Sequence, residues 1–519
     1  MIQLLPQPAS SNSTWAVAIF LIVLYGFRWR RSRSQLPLPP GPKKLPLVGN
    51  LFDIPPERQW ETYLQWSKQF NSDIIHLNVA GTSVVVLSSM EAVKELFERR
   101  SSLYSDRPYL PMLMLMGWDF GIGLMKYGDR WRAHRRILHE AFNIAAVKQF
   151  QPQKLAATHR LLRRILQDPR DIMNHFRHMS GALMMDVTYG IDVRSSDDRY
   201  ISIAEEAMHG FSIASIPGAF LVDTIHALKY VPDWVPGAGF KLKAKAWRKV
   251  TKALQEVPFT ETKRSIAMGA VRTSFTSLNL RSLEELKGSD KATQEAVVKA
   301  AAANMYAAGA DTTVSALGTF VLGMLANPEA QRKTQAEIDS VVGAGQLPDF
   351  TDEAALPYVS AIVKEALRWK NVTPIAIPHY LAVEDEYRGY RIPAGSVVVG
   401  NAWALLHDET MYSSPEVFRP ERFLLDGKLN PAIRDPEMVA FGFGRRICPG
   451  RHMATSILWI TIASILSTFD IRKAIGKDGE VVEPTYEYFP GLVSSPLPFE
   501  CSITPRSSQV VEAIQATSS

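Results

Sequence analysis

The chain has 519 residues, of which 46% are hydrophobic and 21% are charged. These globular proportions exclude intrinsic disorder as the main state, as well as a collagen-like or a polytopic membrane protein. Lys and Arg number 58 against 52 Asp and Glu, and the resulting net charge of +6 is too mild to indicate a nucleic-acid-binding protein. The two cysteines, Cys448 and Cys501, are too few for a disulfide framework or a four-thiolate metal site.

The first predicted element is a membrane anchor. Residues 1–27 carry no charge, residues 15–27 form an unbroken apolar run, and four arginines follow between residues 28 and 33. Positive charge stays on the cytosolic side of a first membrane helix. The pattern therefore predicts an uncleaved transmembrane helix over residues 9–29 with a short lumenal N-terminus, residues 1–8. The alternative is a helix that lies in the membrane interface.

A stiff hinge and a large globular body are predicted to follow the anchor. Residues 30–46 are basic and rich in proline, which fixes extended backbone geometry. The body is predicted over residues 47–506, on the cytosolic side of the membrane. Residues 507–519 are polar and are predicted to be a frayed tail.

The body is predicted to be mainly α-helical with a small β-rich part. Two β-branched runs predict a hairpin within residues 73–87, and a second β-rich patch covers residues 381–400. Helical periodicity marks further segments at 90–100, 128–142, 151–168, 328–342 and 357–369.

One predicted helix, over residues 290–327, is unusually long and apolar. Asp311 is its only charged residue between residues 300 and 326. Such a helix is either a membrane span or the axis of a large core. A polar cluster near its middle would make bilayer insertion costly, so we expect the core axis. The members of that cluster are Asn304, Asp311, Thr312, Thr313 and Ser315.

Residues 441–450, FGFGRRICPG, contain the strongest candidate for chemistry. Cys448 lies in a glycine-rich loop, with arginines before it and a predicted helix, residues 452–466, after it. Nearby cations and helix N-terminal amides lower the pKa of a thiol, which predicts a metal ligand. From spacing alone, a buried structural cysteine is an equal alternative.

The spacing Phe-x-x-Gly-x-Arg-x-Cys-x-Gly in this loop resembles, at every fixed position, the haem-binding loop of the cytochrome P-450 superfamily. The resemblance implies the fold of that family, haem b as the cofactor, and the Cys448 thiolate as the axial ligand of the haem iron. It extends from the proline-rich hinge to Cys501, which matches no family motif and is interpreted as a packed thiol.

Two further motifs match the same family. Glu365 and Arg368 share one helical face, and Arg422 follows at the distance of the family's Glu-Arg-Arg triad, which implies a buried network that supports the cysteine loop. Residues 308–313, AGADTT, match the family's oxygen-activation motif. The resemblance implies that Thr312 and Asp311 relay protons to bound dioxygen. A second interpretation is that the Thr312 hydroxyl only bonds back to a helix carbonyl and bends the helix.

The resemblance also implies which residues hold the haem propionates. They are Trp131 and Arg135, from the family's WxxxR helix, together with His379 and Arg446. Many relatives have Arg at the position of His379.

An external electron donor is expected, because the sequence has neither a Walker loop nor a GxGxxG motif. The resemblance implies an NADPH–cytochrome reductase in the same membrane, that of the endoplasmic reticulum. A basic face that could steer this acidic partner is predicted from Arg130, Arg132, Arg136, Arg445 and Arg451.

The substrate pocket is expected, by analogy, to draw on five segments: residues 108–125, residues 211–220, Met305 with Tyr306, residues 373–377 and residues 492–493. The first segment is rich in methionine and aromatic residues, which suit varied hydrophobic guests. Residues 231–240 resemble fungal members related to O-methylsterigmatocystin oxidoreductase, which implies secondary metabolism or oxidation of polycyclic aromatics and other xenobiotics.

The sequence thus predicts a membrane-anchored haem-thiolate monooxygenase that inserts one atom of O2 into a neutral lipophilic substrate. Two alternatives remain at this point. One is a haem-thiolate isomerase or dehydratase that needs neither O2 nor NADPH, and the other is a non-catalytic haem carrier on the membrane.

Overall fold

The computed structural model describes residues 36–194, 198–285 and 287–517. The predicted anchor and the lumenal N-terminus lie outside the described residues. Within the described ranges the protein is mainly helical and has small sheets, so the predicted fold class is confirmed there. Helices of eight or more residues are α1 Gln59–Gln69, α2 Asp129–Phe142, α3 Gln151–Gln167, α4 Ile172–Tyr189, α5 Arg199–Ala214, α6 Gly239–Ala267, α7 Phe275–Ser282, α8 Gly288–Ala326, α9 Pro328–Val341, α10 Pro357–Trp369, α11 Arg451–Thr468 and α12 Ser508–Ala516.

Short helical segments connect these helices. They are Met90–Val93, Lys94–Arg99, Ser101–Tyr104, Pro111–Leu115, Trp118–Phe120, Ala146–Phe150, Leu221–Asp223, His226–Tyr230, Glu353–Ala355, Ala402–Leu406, Pro420–Phe423, Glu437–Ala440 and Gly444–Arg446. The predicted helix over residues 90–100 is therefore an α-helical turn that continues as a π-helix.

The strands are β1 Ile74–Val79, β2 Thr82–Leu87, β3 His379–Leu381, β4 Asp385–Tyr387, β5 Tyr390–Ile392, β6 Ser396–Gly400, β7 Leu424–Leu425, β8 Lys428–Leu429, β9 Phe469–Ile475, β10 Val481–Val482 and β11 Cys501–Pro505. The predicted hairpin is β1–β2, whose turn residues Ala80 and Gly81 have φ values of 47° and 92°. The largest sheet has the order β1-β2-β6-β3. Strand β6 therefore lies between the N-terminal hairpin and β3, which carries His379.

Helix α8 is the axis of the core. It has 39 residues and packs against α2, α4, α5, α6, α10 and α11. By length and composition α8 could cross a membrane, but 72% of its most apolar window is buried inside the protein. Its apolar surface is covered by other helices, as the polar cluster predicted.

The C-terminal segment differs from the prediction of a frayed tail. Residues Ser508–Ala516 form a helix. Ser507 caps its N-terminus, because the Ser507 hydroxyl accepts a hydrogen bond from the Val510 amide. Val510 and Ile514 are buried, and Arg163 on α3 donates a hydrogen bond of 2.9 Å to the Thr517 carbonyl. Val510 and Ile514 are four residues apart, so their side chains lie on one face of the helix. The sequence-based prediction missed this apolar face because the segment as a whole is polar.

Candidate active site

The cysteine loop joins the Gly444–Arg446 turn to helix α11. The Cys448 amide donates a hydrogen bond of 2.8 Å to the Phe441 carbonyl, which closes the loop on itself. Gly444 has a φ of 53°, and a Cβ there would lie 2.0 Å from the Phe97 carbonyl oxygen. Glycine is therefore required at this position, because any side chain would push the loop away from the Lys94–Arg99 segment.

A cavity of about 340 Å³ separates the cysteine loop from α8. Cys448, Pro449 and Gly450 of the loop line this cavity, and so do Ala308, Gly309, Thr312 and Thr313 of α8. Most of the remaining lining is apolar, and it comes from α2, α10, α11 and the segment before β3. Within the described residues, no group of three His, Cys, Asp or Glu side chains is placed to hold a metal ion. Cys448 is thus a single thiol that faces a large, mostly apolar space.

Burial raises the pKa of the Cys448 thiol. The Gly450 amide and the cations Arg135 and Arg451 act in the opposite direction, as the sequence predicted, but the loss of solvation outweighs them. The prediction of a lowered pKa was therefore wrong for the thiol on its own. A bound metal ion supplies the stronger positive charge that ionises a buried thiol.

Three basic side chains are buried together at one edge of the cavity. Arg107, Arg446 and His379 are 4%, 8% and 3% exposed, and all three line the cavity. Arg446 donates hydrogen bonds to the carbonyls of Ser105 (2.6 Å) and Met125 (2.7 Å). His379 donates from Nδ1 to the Tyr104 carbonyl at 2.6 Å.

Asp106 compensates this basic cluster only in part. Burial and the neighbouring Arg446 lower the pKa of Arg107, and burial together with Arg107 and Arg446 lowers the pKa of His379. The pKa of Arg446 is lowered to about 10, mainly by burial, with Asp106 as the chief opposing charge. The buried Nε of Arg107 has no hydrogen-bond partner within the described ranges. An anionic group in the cavity would satisfy this nitrogen and relieve the repulsion, so the cluster fits the carboxylates of a haem.

The predicted Trp131 and Arg135 lie beside this cluster on α2. Both residues line the cavity, and the Arg446 guanidinium lies 4.7 Å from the centroid of the Trp131 ring. Arg135 donates to the Ile447 carbonyl at 2.5 Å, which connects α2 to the cysteine loop. The structure thus brings together all four residues predicted to hold propionates. It adds Arg107, which no local motif marks, because this arginine is held at the cavity by the carbonyls of Ile377 and Pro378, which are distant in the chain.

Helix α8 carries both predicted proton-relay residues, but only Thr312 lines the cavity. The Thr312 hydroxyl lines the cavity and donates to the Ala308 carbonyl at 2.8 Å, which is the back-bonded geometry that the sequence left open. Asp311 is not among the cavity-lining residues. Burial raises the pKa of Asp311, Arg177 acts to lower it, and Glu205 acts to raise it further.

The predicted triad is an assembled, buried network. Glu365 and Arg368 are 0% exposed, and the Arg368 guanidinium donates to both Glu365 carboxylate oxygens at 2.8 and 2.9 Å. Arg422 Nε also donates to Glu365, at 3.1 and 3.2 Å. Arg368 bonds further to the Leu406 and Pro415 carbonyls. The network therefore joins α10 to the chain that leads into the cysteine loop.

The predicted pocket segments are only partly confirmed. Met305 lines the cavity, as do Ile122 and Gly123 from the first segment and Thr373, Ala376 and Ile377 from the fourth. Tyr306, residues 211–220 and residues 492–493 do not line it. Met112 and Met116, which suggested a flexible pocket wall, are fully buried in the main core. Their spacing could not distinguish a core position from a cavity position.

Together these features define the class of the site: one thiol faces a mostly apolar cavity, and a buried cationic cluster at the cavity edge fits an anionic cofactor. The chain belongs to the cytochrome P-450 family, whose model matches residues 39–502. Cytochrome P-450 monooxygenase 98 of Postia placenta is 45% identical over 505 residues, covering 96% of this chain and 95% of the relative. Cytochrome P-450 monooxygenase ple1 of Rhodocybe pseudopiperita is 44% identical, covering 92% and 91%. Tryptamine 4-monooxygenase of Psilocybe cyanescens is 40% identical, covering 94% and 96%.

The predicted class of enzyme is confirmed by these relatives. The protein is a fungal haem-thiolate monooxygenase, an oxidoreductase that incorporates oxygen from O2 into a lipophilic substrate. Its cofactor is haem b, and a redox partner supplies its electrons. Proteins of this kind are generally membrane-associated in fungi.

Proposed function

We propose that the Cys448 sulfur binds the haem iron and that the substrate occupies the cavity between the haem and α8. The observation that carries this proposal is that Cys448 lines the same mostly apolar cavity as Ala308, Gly309 and Thr312 of α8. A thiolate-bound haem supplies the activation of O2 at that position. The protein supplies the dry cavity, the orientation of the substrate and the delivery of protons.

The buried cations hold the propionates in this proposal. Arg107, His379 and Arg446 lie at one edge of the cavity, with Arg135 and Trp131 adjacent on α2. The Arg107 guanidinium is fixed by hydrogen bonds to the Ile377 and Pro378 carbonyls, at 2.5 and 2.7 Å, while its Nε stays available. Charge-assisted hydrogen bonds of this kind are about twice as strong as neutral ones. They would orient the haem relative to Cys448.

Thr312 and Asp311 handle protons on the α8 side of the cavity. The Thr312 hydroxyl, which donates to the Ala308 carbonyl, belongs to a residue of α8 that lines the cavity. Asp311 precedes Thr312 on α8, and burial raises the pKa of its carboxyl. The role assigned to this carboxyl, the resupply of protons to the Thr312 hydroxyl, rests on the match of residues 308–313 to the family motif.

Replacing Thr312 by Val, which keeps the shape of the side chain but removes the hydroxyl, is expected to slow product formation by about 10²-fold. Product per NADPH, measured with a neutral reporter such as 7-ethoxycoumarin, would fall while hydrogen peroxide release rises. Thr319→Val is the matched control, because its hydroxyl bonds to Ser315 and Tyr488 away from the cavity. An unchanged ratio of product to hydrogen peroxide in Thr312→Val would contradict the assigned role.

The substrate is inferred to be neutral and lipophilic. Among the described residues, no Asp or Glu lines the cavity, and the polar groups outside the basic edge are mainly Asn304 and the threonines 312, 313 and 373. A cationic amine such as tryptamine would need a carboxylate partner when desolvated. The name of the Psilocybe relative therefore does not transfer easily to this chain. A neutral compound of fungal secondary metabolism, or a polycyclic aromatic or other xenobiotic, fits better.

Electrons are inferred to come from NADPH through a diflavin reductase of the endoplasmic reticulum membrane. Arg136 is exposed on α2 and makes no ion pair among the described residues. Two other members of the predicted basic face are partly neutralised, since Arg130 pairs with Asp119 at 3.6 Å and Arg132 with Asp129 at 2.7 Å. Arg445 is hydrogen-bonded to the Tyr127 hydroxyl. Ion pairs thus neutralise two of the five predicted members, while Arg136, Arg445 and Arg451 make no ion pair among the described residues.

Reversing two charges, Arg132→Glu with Arg136→Glu, is expected to slow reductase-driven turnover of 7-ethoxycoumarin by about tenfold, because charge complementarity governs the rate of encounter. Turnover driven by hydrogen peroxide should be unchanged. The control reverses Arg281 and Lys287, which are exposed near α7, a helix that packs on α4, α6 and α8. Equal losses in both assays would refute the docking face.

The proposal that Cys448 binds haem and that the protein oxidises a neutral substrate is tested on full-length protein in membranes. After reduction, carbon monoxide should produce the absorption band of a thiolate-bound haem, and a neutral substrate should be oxidised only with NADPH, the reductase and O2. Conversion of a substrate without NADPH would instead support an isomerase or dehydratase.

A further inference from the structure

Asn304 belongs to the polar cluster on α8. Its side-chain amide is hydrogen-bonded to residues 117–125, which we call the roof loop. Its Nδ2 donates to the Phe120 carbonyl at 2.8 Å and to the Ala300 carbonyl at 2.7 Å. Its Oδ1 accepts from the Ile122 amide at 2.9 Å. Three of the four hydrogen-bonding positions of this side chain are therefore used, and two of the three hold the loop backbone.

The roof loop is also held from two other directions. The Trp118 ring packs edge-on against Phe211 of α5, with centroids 4.8 Å apart. Arg446, next to the cysteine loop, donates to the Met125 carbonyl at 2.7 Å. Between these two contacts, Asn304 fixes the middle of the loop to α8.

The part of the loop that Asn304 holds forms the cavity wall. Ile122, Gly123 and Asn304 itself line the cavity. A Cβ on Gly123 would lie 3.1 Å from the Ile377 Cδ1, so the loop already lies close to the opposite lining. A small shift of the backbone at Ile122 therefore changes the shape of the space above the cysteine.

We propose that Asn304 is a positioning residue that locks the roof loop onto α8 and thereby sets the shape of the substrate cavity. Its contribution is to specificity, since it determines how far Ile122 reaches over the substrate. This inference rests on the proposed function of the cavity as the substrate site.

Asn304 can lock the loop because it is the hydrogen-bond partner of two backbone groups there. Without the amide, the Phe120 carbonyl and the Ile122 N–H would be left without partners in a partly buried place, which proteins avoid. The loop would move to hydrate them, and the cavity would widen on that side. A leucine has the same branching at Cγ as an asparagine, although it is larger, and it offers neither bond.

Hydrogen exchange on the holoenzyme tests the lock directly. In Asn304→Leu, peptides covering residues 117–125 should exchange at least tenfold faster than in the wild type, while α10 and α11 remain unchanged. Asn304→Asp keeps an acceptor for the Ile122 amide, so its effect should be smaller. Thr319→Val removes another hydrogen-bonding side chain of α8, bonded to Tyr488 at 3.0 Å, and should leave residues 117–125 at the wild-type rate.

Binding of two probes tests the effect on cavity shape. Imidazole and 4-phenylimidazole both bind haem iron through nitrogen. Only 4-phenylimidazole carries an additional phenyl ring, which would fill the space beside the roof loop. The ratio of their dissociation constants, read from the haem absorption band, should change at least fivefold in Asn304→Leu and stay constant in Thr319→Val.

Each result decides a separate point. Unchanged exchange at residues 117–125 in Asn304→Leu overturns the lock, and so does acceleration spread over the whole protein or shared by Thr319→Val. Faster local exchange with a constant ratio of dissociation constants overturns the role in specificity. Absence of any azole-induced shift in wild-type protein would instead refute the haem site of the proposed function, while the exchange result would still report on the lock.

Discussion

Replacing Cys448 by Ser is expected to abolish the carbon-monoxide band of the thiolate-bound haem and to reduce NADPH-dependent turnover below detection. A serine hydroxyl does not ionise in a buried site, and a neutral oxygen is a much weaker ligand for haem iron than a thiolate. The loop itself should persist, because its closing hydrogen bond runs from the amide of residue 448 to the Phe441 carbonyl. Absorption spectra and iron content of the purified variant are the measurements.

Cys501→Ser is the matched control for this result. Cys501 lies on β11, and burial raises the pKa of its thiol to about 12, so it remains a neutral packed group. This variant should retain the band and the turnover at wild-type levels. If Cys448→Ser kept the thiolate-type band, or if Cys501→Ser lost it, the assignment of the iron ligand would be wrong.

Replacing Glu365 by Gln is expected to destabilise the protein by about 3–5 kcal/mol, because it leaves two buried guanidinium groups without their shared carboxylate. Arg368 and Arg422 would both lose charge-assisted bonds, and the bond of 2.7 Å from the Arg419 amide would weaken. The free energy of unfolding by urea measures the loss. Haem content after expression should fall with it, because this network anchors the chain leading into the cysteine loop.

Glu409→Gln serves as the control for a carboxylate in an exposed pair. Glu409 lies 3.1 Å from Lys68, and both side chains are more than half exposed. Its loss should change stability by about 0–1 kcal/mol. A stability change of similar size in the two variants would show that the triad does not support the fold.

Local chemistry made several elements predictable. Helix α10 begins at Pro357 and ends at Trp369, both as predicted, because proline fits the first turn of a helix and the apolar spacing continues to its end. Helix α9 begins where Asn327 caps the Ala330 amide and Pro328 follows. Such signals act within a few residues, so a single sequence displays them.

Other features depended on neighbours distant in the chain. Cys448 was expected to have a lowered pKa from its adjacent arginines, yet burial by α2, α11 and the cavity walls dominates. Met112 and Met116 were expected near the substrate and instead are buried in the core. The sequence contains the composition of a segment but not the direction in which its side chains point.

The sequence by itself determined the class of this protein, because the cysteine loop, the Glu-Arg pair and the AGADTT segment each keep their chemistry within a short stretch of chain. Only the tertiary structure decided which residues complete the site. Arg107 reaches the cavity through contacts with the Ile377 and Pro378 carbonyls, and Asn304 through contacts with Phe120 and Ile122. In each contact the two residues lie more than 180 positions apart in the chain, so no local pattern could mark the contact. Their positions follow from the packing of α8 and the sheet around one core.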